Sequence, residues 1–319
     1  MNKVLIIGGN GFLGGAIVNR LVKNKNFELF VTYRTKKNSR FFLENLDKLT
    51  NSFMLDVNNF EKVKNLMSDL KPNIIIDLTS LVDVNKSIDY PKGSFESSAL
   101  TTLNILEAAR EERIETVYIN HSSDKVYNNN TLPFSEEMNL SPKDIYAVGK
   151  LTQELIANAY YFHYGIKNIN IRSANYYGPY DFDLDRIIPY LMKSFIENTN
   201  ISIRTNLQFK RDFLFVEEAA NVNELICNLI LNKQFNNFGE SFNFSQEKNY
   251  SIAEIINIMT TISGNYPNVS ANESNSEFEV RELLLDCSKS KKILNWENTI
   301  SFEDGLSQTY NFFNNFLSN

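Results

Sequence analysis

Two short segments of the chain carry side chains that can move protons. An apolar stretch runs into Ser123, Asp124 and Lys125, and Tyr146 follows later, four positions before Lys150. Residues four apart share one face of a helix, so this phenol and this ammonium can act together. We expect Lys150 to lower the pKa of Tyr146 from its usual value of about 10. Tyr146 would then serve as a general acid or base near neutral pH.

A glycine-rich segment near the N-terminus predicts a dinucleotide site. Gly8, Gly11 and Gly14 recur every third residue, after a buried-strand pattern and at the start of a helical pattern. Such glycines permit a tight turn and let backbone amides approach a pyrophosphate at the helix N-terminus. A turn that serves only strand–helix packing is the alternative. If a cofactor binds, we expect Phe12 and Leu13 to contact it too.

The second strand pattern bears on which dinucleotide binds. In NAD sites this strand usually ends in an acid that hydrogen-bonds the ribose. Here the segment "VTYRTKKNSR" has no acid but contains Arg34, Lys36 and Lys37. Cations suit the additional phosphate of NADP, so we favour NADP over NAD, against the alternative of a solvated basic loop. Asp56 and Val57, which end the third strand pattern, are expected beside the adenine.

The composition excludes several classes of function. The chain has 319 residues, 43% of them hydrophobic, and a formal net charge of -6. An acidic protein is a poor partner for nucleic acids or anionic membrane surfaces. Two cysteines and two histidines show no metal-ligand spacing, so no metal site is expected. No segment reaches the length of a membrane span, and we expect a cytoplasmic location.

The alternation of elements predicts the fold class. Continuous apolar strands alternate with amphipathic helices through the first half, which is typical of a Rossmann-type, doubly wound parallel sheet in an α/β protein. We predict a dinucleotide-binding domain over residues 1–178, rejoined by about 212–235. A smaller α/β substrate-binding domain would comprise residues 179–211 and 236–319.

Several motifs in sequence order resemble one known family. They are "GGNGFLG", "HSSDKVY", "YAVGK", "RSANYYGPY", "KRDFLFVEEAA" and "LLLDCSKSKKILNW". From Val4 to about Trp296 the chain resembles the extended short-chain dehydrogenase/reductases that modify nucleotide-diphosphate sugars with NAD or NADP. The resemblance implies an enzyme that transiently oxidises C4 of the sugar, and a homodimer.

The resemblance also implies roles for individual residues. Ser123 would hydrogen-bond the C4 oxygen, Tyr146 would move its proton, and Lys150 would hold the nicotinamide ribose. Leu78 and Thr79 match the segment beside the nicotinamide.

Three further positions match substrate contacts of the family. Asn175 falls where relatives contact the sugar, and Arg211 and Arg281 fall where they bind the diphosphate. Either arginine could instead be a structural ion-pair partner.

The pair Asp124–Lys125 points to a reaction within the family. It resembles the Asp-Lys variant of CDP-glucose 4,6-dehydratases and of some N-acetylglucosamine dehydratases, and the segment "LDRIIPYLMKSF" resembles the former group. Dehydration requires a base for the C5 proton and an acid for the C6 hydroxyl. Lys125 as base would need burial or a cationic neighbour to lower its pKa, whereas Asp124 as acid would need a raised one. In one alternative, Asp124 and Lys125 form only a solvated turn and the protein is an epimerase or a 4-keto reductase. In another, the protein is a non-catalytic NADP-binding sensor.

Overall fold

The computed structural model describes residues 1–80, 84–127, 131–271 and 281–318. The strands in these ranges are β1 (Asn2–Ile7), β2 (Phe27–Tyr33), β3 (Asn51–Met54), β4 (Ile74–Asp77), β5 (Val117–His121), β6 (Lys167–Ser173), β7 (Asn175–Tyr177), β8 (Ile201–Ile203), β9 (Lys210–Phe215), β10 (Glu240–Phe244), β11 (Asn249–Ser251) and β12 (Val269–Ala271). The helices are α1 (Phe12–Leu21), α2 (Arg40–Leu43), α3 (Phe60–Leu70), α4 (Val84–Asp89), α5 (Pro91–Phe95), α6 (Thr101–Glu111), α7 (Ile145–Tyr164), α8 (Ile187–Glu197), α9 (Val216–Leu231), α10 (Ile252–Ser263), α11 (Ser288–Leu294) and α12 (Phe302–Leu317).

A seven-stranded parallel sheet organises the larger part of the molecule. Its strand order is β10-β6-β5-β4-β1-β2-β3. Along β1, Val4 and Ile6 join the hydrophobic core on one face, and Leu5 and Ile7 join the core on the other. Because both faces are covered by helices, the central strands β1 and β4 are largely apolar where they are buried. The predicted Rossmann-type, doubly wound α/β fold is confirmed.

The strand order determines where a ligand can bind. The chain runs outward from β1 to β3 in one direction and from β4 to β6 in the other. Loops after β1 and β4 therefore diverge and leave a crevice at the carboxyl edge of the sheet. The glycine segment follows β1, and Ser123 to Lys125 follow β5, so both lie at this edge.

A second, smaller group of elements lies beyond this edge. It contains the three-stranded sheet β11-β9-β7, the two-stranded sheet β12-β8 and an aromatic core that includes Tyr177, Phe195 and Phe302. The domain boundaries predicted from the sequence remain a prediction. Strand β10, which we assigned to the second domain, pairs in parallel with β6 in the large sheet.

A buried ion pair holds α7 against the sheet. Arg172 of β6 and Glu154 of α7 are both almost completely buried. Arg172 Nη2 donates a hydrogen bond to Glu154 Oε2 at 2.6 Å, and Arg172 Nε donates one to Glu154 Oε1 at 3.0 Å. Glu154 lies one helical turn after Lys150, so the ion pair sets the position of the helix that carries Tyr146 and Lys150.

None of the helices in the described ranges combines the length and apolar character that a membrane span requires.

We predict that Glu154→Gln will lower the free energy of unfolding by about 3–5 kcal/mol, because it leaves the Arg172 charge buried without its carboxylate. The matched control is Glu197→Gln on α8, where the partner Lys193 is 3.9 Å away and both side chains are largely exposed. This control should cost at most about 0.5 kcal/mol. Urea unfolding followed by circular dichroism measures both. Equal losses in the two variants would contradict the structural role of the buried pair.

Candidate active-site cleft

One cleft of about 910 Å³ collects most of the residues predicted from the sequence. It runs along the carboxyl edge of the large sheet and is bounded on its other side by the segment before α8. The predicted residues that line it are Gly8, Gly11, Phe12, Leu13, Gly14, Arg34, Asp56, Val57, Leu78, Thr79, Ser123, Asp124, Lys125, Tyr146, Lys150, Asn175 and Arg211.

Two predicted residues lie away from this cleft. The Lys36 ammonium lies 5.9 Å from the centre of the Phe42 ring, and its neighbour Lys37 lines the cleft instead. Neighbouring residues in a non-helical segment point to different sides, so one lysine of the pair faces away. Arg281 is exposed and borders a separate depression of about 290 Å³. Its backbone carbonyl accepts a hydrogen bond from Arg211 Nη1 at 3.4 Å.

The glycine turn has the tight geometry that the spacing predicted. Gly8 has a φ of +79°, which favours glycine, and a Cβ on Gly14 would lie 2.7 Å from the Gly8 carbonyl oxygen. Helix α1 begins directly after Gly11 without a hydrogen bond from a capping side chain. Its first amides therefore remain available to an anion, in the electrostatic field of the helix N-terminus.

The cleft lining contains several unsatisfied polar groups. Five residues that line it each have a buried side-chain oxygen without a hydrogen-bond partner among the described residues: Thr32 Oγ1, Ser39 Oγ, Ser80 Oγ, Ser122 Oγ and Asp124 Oδ2. Buried polar atoms are usually paired, so this concentration in one cleft indicates a polar ligand. Together with the glycine turn, these oxygens fit a dinucleotide, which offers many hydroxyls and phosphates along its length.

The chain after β5 forms a compact arrangement of reactive groups. Ser123 precedes a short 3-10 turn, Asp124–Val126, and its Oγ accepts a hydrogen bond from the Lys125 amide at 3.2 Å. The Ser123 hydroxyl also lies 3.1 Å from Asp124 Oδ1 and is hydrogen-bonded to Tyr146. The Lys125 ammonium lies 5.5 Å from the centre of the Tyr146 ring. A hydroxyl, a carboxylate, an amine and a phenol thus meet in one place.

The expectation that Lys150 lowers the pKa of Tyr146 is wrong for this structure. Burial raises the pKa of Tyr146 to about 12; the hydrogen bond with Ser123 opposes this rise, and the charge of Asp124 adds to it. Lys150 directs its Nζ elsewhere, to the His121 carbonyl oxygen at 2.6 Å. Desolvation of the phenolate therefore outweighs attraction by a nearby cation.

The pKa values of Asp124 and Lys125 shift in opposite directions. Burial raises the pKa of Asp124, although the charge of Lys125 opposes the shift. Burial lowers the pKa of Lys125, against the attraction of Asp124 and Asp144, and Arg211 lowers it further. These are the two shifts that the dehydration chemistry requires. Because the groups are adjacent, the pair can share one proton, and its titration belongs to both residues.

Arg186 is a cleft residue that the sequence analysis did not select. Its Nη1 donates to Asp181 Oδ2 at 2.6 Å, its Nη2 donates to the Tyr176 carbonyl, and its guanidinium lies 5.4 Å from the centre of the Phe12 ring. Arg186 therefore joins the segment before α8 to the glycine turn. The available signal was an arginine directly before the apolar helix "IIPYLMKSF". Its contact with Phe12, far away in the sequence, could not be inferred.

Known proteins share both the sequence pattern and the fold. The chain matches the family model described as GDP-mannose 4,6 dehydratase over residues 5–309. It is 25% identical to the dTDP-glucose 4,6-dehydratase of Escherichia coli over 345 aligned positions, which cover 98% of this chain and 94% of that protein. It is 26% identical to the CDP-glucose 4,6-dehydratase of Salmonella typhimurium over 271 positions, covering 81% and 75%.

A solved structure shows the similarity of fold. The UDP-glucuronic acid 4-epimerase of Bacillus cereus, in complex with UDP-glucuronic acid and NAD, superimposes with a TM-score of 0.89. The sequence identity is 22%, and the comparison covers 98% of this chain and 99% of that one.

We predict that Gly14→Ala will weaken dinucleotide binding by at least about tenfold, because its Cβ would collide with the backbone of the turn that approaches the pyrophosphate. The matched control is Gly165→Ala, at a φ of +72° with open space around the added methyl group. That variant should lose about 1 kcal/mol of stability and bind normally. Isothermal titration calorimetry with NADP measures both affinities. Unchanged binding by Gly14→Ala would contradict the assignment of the turn.

Proposed function

The chain belongs to the family described as GDP-mannose 4,6 dehydratase, and from this premise we propose that it dehydrates a nucleotide-diphosphate sugar after transient oxidation at C4. The observation that carries the proposal is the pair Asp124–Lys125, with its opposite pKa shifts, beside Ser123 and Tyr146. An epimerase or a 4-keto reductase needs the hydroxyl and the phenol, but not an additional acid and base.

We propose NADP, rather than NAD, as the cofactor. Arg34 and Lys37 line the cleft after β2, where an acid would otherwise bind the ribose of NAD. Burial lowers the pKa of Lys37, the charge of Arg34 adds to this effect, and Asp183 opposes it. Two cations this close repel each other, and a phosphate dianion between them would relieve the repulsion. The Bacillus cereus relative contains NAD, so the preference is a property to test in this chain.

The oxidation step uses Ser123, Tyr146 and Lys150. A bound oxidised nicotinamide would supply the hydride acceptor for C4 and a positive charge that favours the phenolate form of Tyr146. Tyr146 removes the proton of the C4 hydroxyl, and Ser123, already hydrogen-bonded to Tyr146, donates to the developing ketone oxygen. Lys150 lies one helical turn beyond Tyr146, and it would hold the nicotinamide-side ribose.

The elimination step uses Asp124 and Lys125. A C4 ketone makes the C5 proton acidic, and Lys125 in its neutral form removes that proton. Asp124 in its protonated form donates to the departing C6 hydroxyl, which leaves as water. A bound reduced nicotinamide would supply the hydride back to C6, and Lys125 returns its proton to C5, so the cofactor would end oxidised and the sugar loses one water overall. Tyr146 is left with the C4 hydroxyl proton, and Asp124 regains that proton through Ser123, which is hydrogen-bonded to both residues. Arg211, which lines the same cleft, faces the diphosphate.

We predict that the wild-type protein, incubated with NADP and a panel of nucleotide-diphosphate hexoses, will give a product lighter by one water molecule. Lys125→Met and Asp124→Asn should lower formation of this product by about 10²–10⁴-fold, because each lacks one proton-transfer group. They should still oxidise C4, so reduced cofactor accumulates. Mass spectrometry and absorbance of the reduced nicotinamide measure the two steps separately. The matched control is Lys92→Met, an exposed lysine of α5 outside the cleft.

The outcomes distinguish the alternatives. A new sugar isomer without a change of mass would contradict dehydration and indicate an epimerase. Turnover only with a 4-keto sugar and NADPH would indicate a reductase. Binding of cofactor without conversion of any sugar would indicate a non-catalytic sensor.

We predict that Lys37→Ala will weaken NADP binding by about tenfold and leave NAD binding unchanged, because only NADP has a phosphate at this end of the cleft. The matched control is Lys36→Ala, which removes the same charge from the adjacent position outside the cleft. It should change neither affinity by more than about twofold. Calorimetric titration with both dinucleotides provides the measurement, and equal losses for NAD and NADP in Lys37→Ala would contradict the preference.

A further inference from the structure

Asp77 is a buried acid at the last position of β4, beneath the cleft floor. The preceding strand residues are isoleucines, and Asp77 itself is only 1% exposed. The sequence signal was a carboxylate that ends an apolar strand, "NIIIDLTS". Burying a carboxylate is costly unless it is hydrogen-bonded and compensated, so a specific role is expected at this position.

The first contact of Asp77 shapes the cleft floor. Its Oδ1 accepts hydrogen bonds from the Thr79 amide at 2.8 Å and from Thr79 Oγ1 at 2.6 Å. A carboxylate that binds the backbone two residues ahead forms a local turn. This turn directs Leu78, Thr79 and Ser80 into the cleft lining.

The second contact joins Asp77 to the neighbouring elements. Its Oδ2 accepts a hydrogen bond from the Tyr118 hydroxyl of β5. Thr102 Oγ1 of α6 lies 3.1 Å from the same hydroxyl and accepts from Gln153 Nε2 of α7 at 2.9 Å. Gln153 also donates to the Thr79 carbonyl at 3.3 Å. A continuous network therefore links Asp77 to the helix that carries Tyr146 and Lys150.

The charges around Lys150 give Asp77 a second role. Lys150 is 4% exposed, and its ammonium donates to a neutral acceptor, the His121 carbonyl. Burial lowers the pKa of Lys150 to about 8, and the charges of Asp77 and then Glu154 oppose this effect. Glu154 is already engaged by Arg172. The His121 ring is uncharged near neutrality, because burial lowers its pKa to about 4.

The donors to Asp77 among the described residues, in contrast, are all neutral: the Thr79 amide and the hydroxyls of Thr79, Thr102 and Tyr118. The carboxylate is therefore not compensated by a cation of its own through these bonds. Asp77 pairs in register with Asn120 of β5, and the next residue, His121, accepts a hydrogen bond from the Lys150 ammonium through its carbonyl, so Asp77 and this buried cation lie at neighbouring strand ends. There the charge of Asp77 favours the protonated form of Lys150. Each charge makes burial of the other less unfavourable.

We propose that Asp77 is a positioning residue for the reaction: it forms the cleft-floor turn at Thr79 and is the counter-charge that keeps Lys150 an ammonium. This assignment rests on the proposed function, since it is through Lys150 that Asp77 acts on the nicotinamide-side ribose. Asp77 itself touches neither sugar nor cofactor in this scheme.

The sign of the effect follows from the charges. The carboxylate of Asp77 favours protonated Lys150, so its removal lowers the pKa of Lys150 further. Lys150 then loses its proton at a lower pH, and less ammonium is present at any pH near 8. Turnover should consequently fall at a lower pH on the alkaline side, with little change in the KM for the sugar.

The experiment measures the titration of Lys150 directly in the full-length protein. Lysines are labelled with ¹³C at the ε position, and the Lys150 resonance is identified by its absence in Lys150→Met. We expect Asp77→Asn to shift the Lys150 titration by about one pH unit to lower pH relative to wild type. Tyr118→Phe, which removes a hydrogen bond but keeps the carboxylate, should produce no downward shift.

Each result decides the proposal. An unchanged titration in a folded Asp77→Asn protein would overturn it and leave Asp77 a purely structural residue. If Asp77→Asn does not fold, Tyr118→Phe still decides, because a downward shift of about one unit there would show that the network, and not the charge, controls Lys150. The signal comes from Lys150 and not from turnover. Failure of the proposed function would therefore leave this measurement interpretable.

Discussion

Desolvation of charged groups at the carboxyl edge of the large sheet is the constraint on which the site depends. Burial is the largest influence on the pKa of Tyr146, Lys150, Asp124 and Lys125 alike. It favours the neutral form of each group and so opposes attraction between them. The protonation state of each group in the cleft thus depends on whether an opposite charge lies close enough to offset the loss of water.

The fold supplies this compensation through pairs that span neighbouring elements. Glu154 and Arg172 satisfy each other between α7 and β6, which leaves Lys150 dependent on the carboxylate of β4. Asp124 and Lys125 are neighbours in the chain and shift each other against the effect of burial. A parallel sheet makes such pairs possible because all its strands deliver their last residues to one edge.

The cleft also depends on contacts between the two groups of elements. Arg186 extends from the start of α8 to Asp181, the Tyr176 carbonyl and the Phe12 ring. The glycine turn and the segment that bounds the cleft are thereby held together through one guanidinium. Burial raises the pKa of Asp181 to about 6, and the charge of Arg186 opposes the rise. The Asp181 carboxylate in this ion pair is therefore also desolvated.

The sequence by itself determined the α/β fold, because strand and helix periodicities are local, and it also determined most of the cleft. Ser123, Tyr146 and the glycine turn were recognisable since their spacing follows from one strand end, one helical turn and one tight turn. Only the tertiary structure decided which lysine after β2 faces the cleft, that Arg281 lies apart, that Arg186 lines the cleft, and that Asp77 is buried beneath the cleft floor. It also reversed the expected pKa shift of Tyr146. These properties depend on the direction of side chains and on burial by distant segments, which no local pattern encodes.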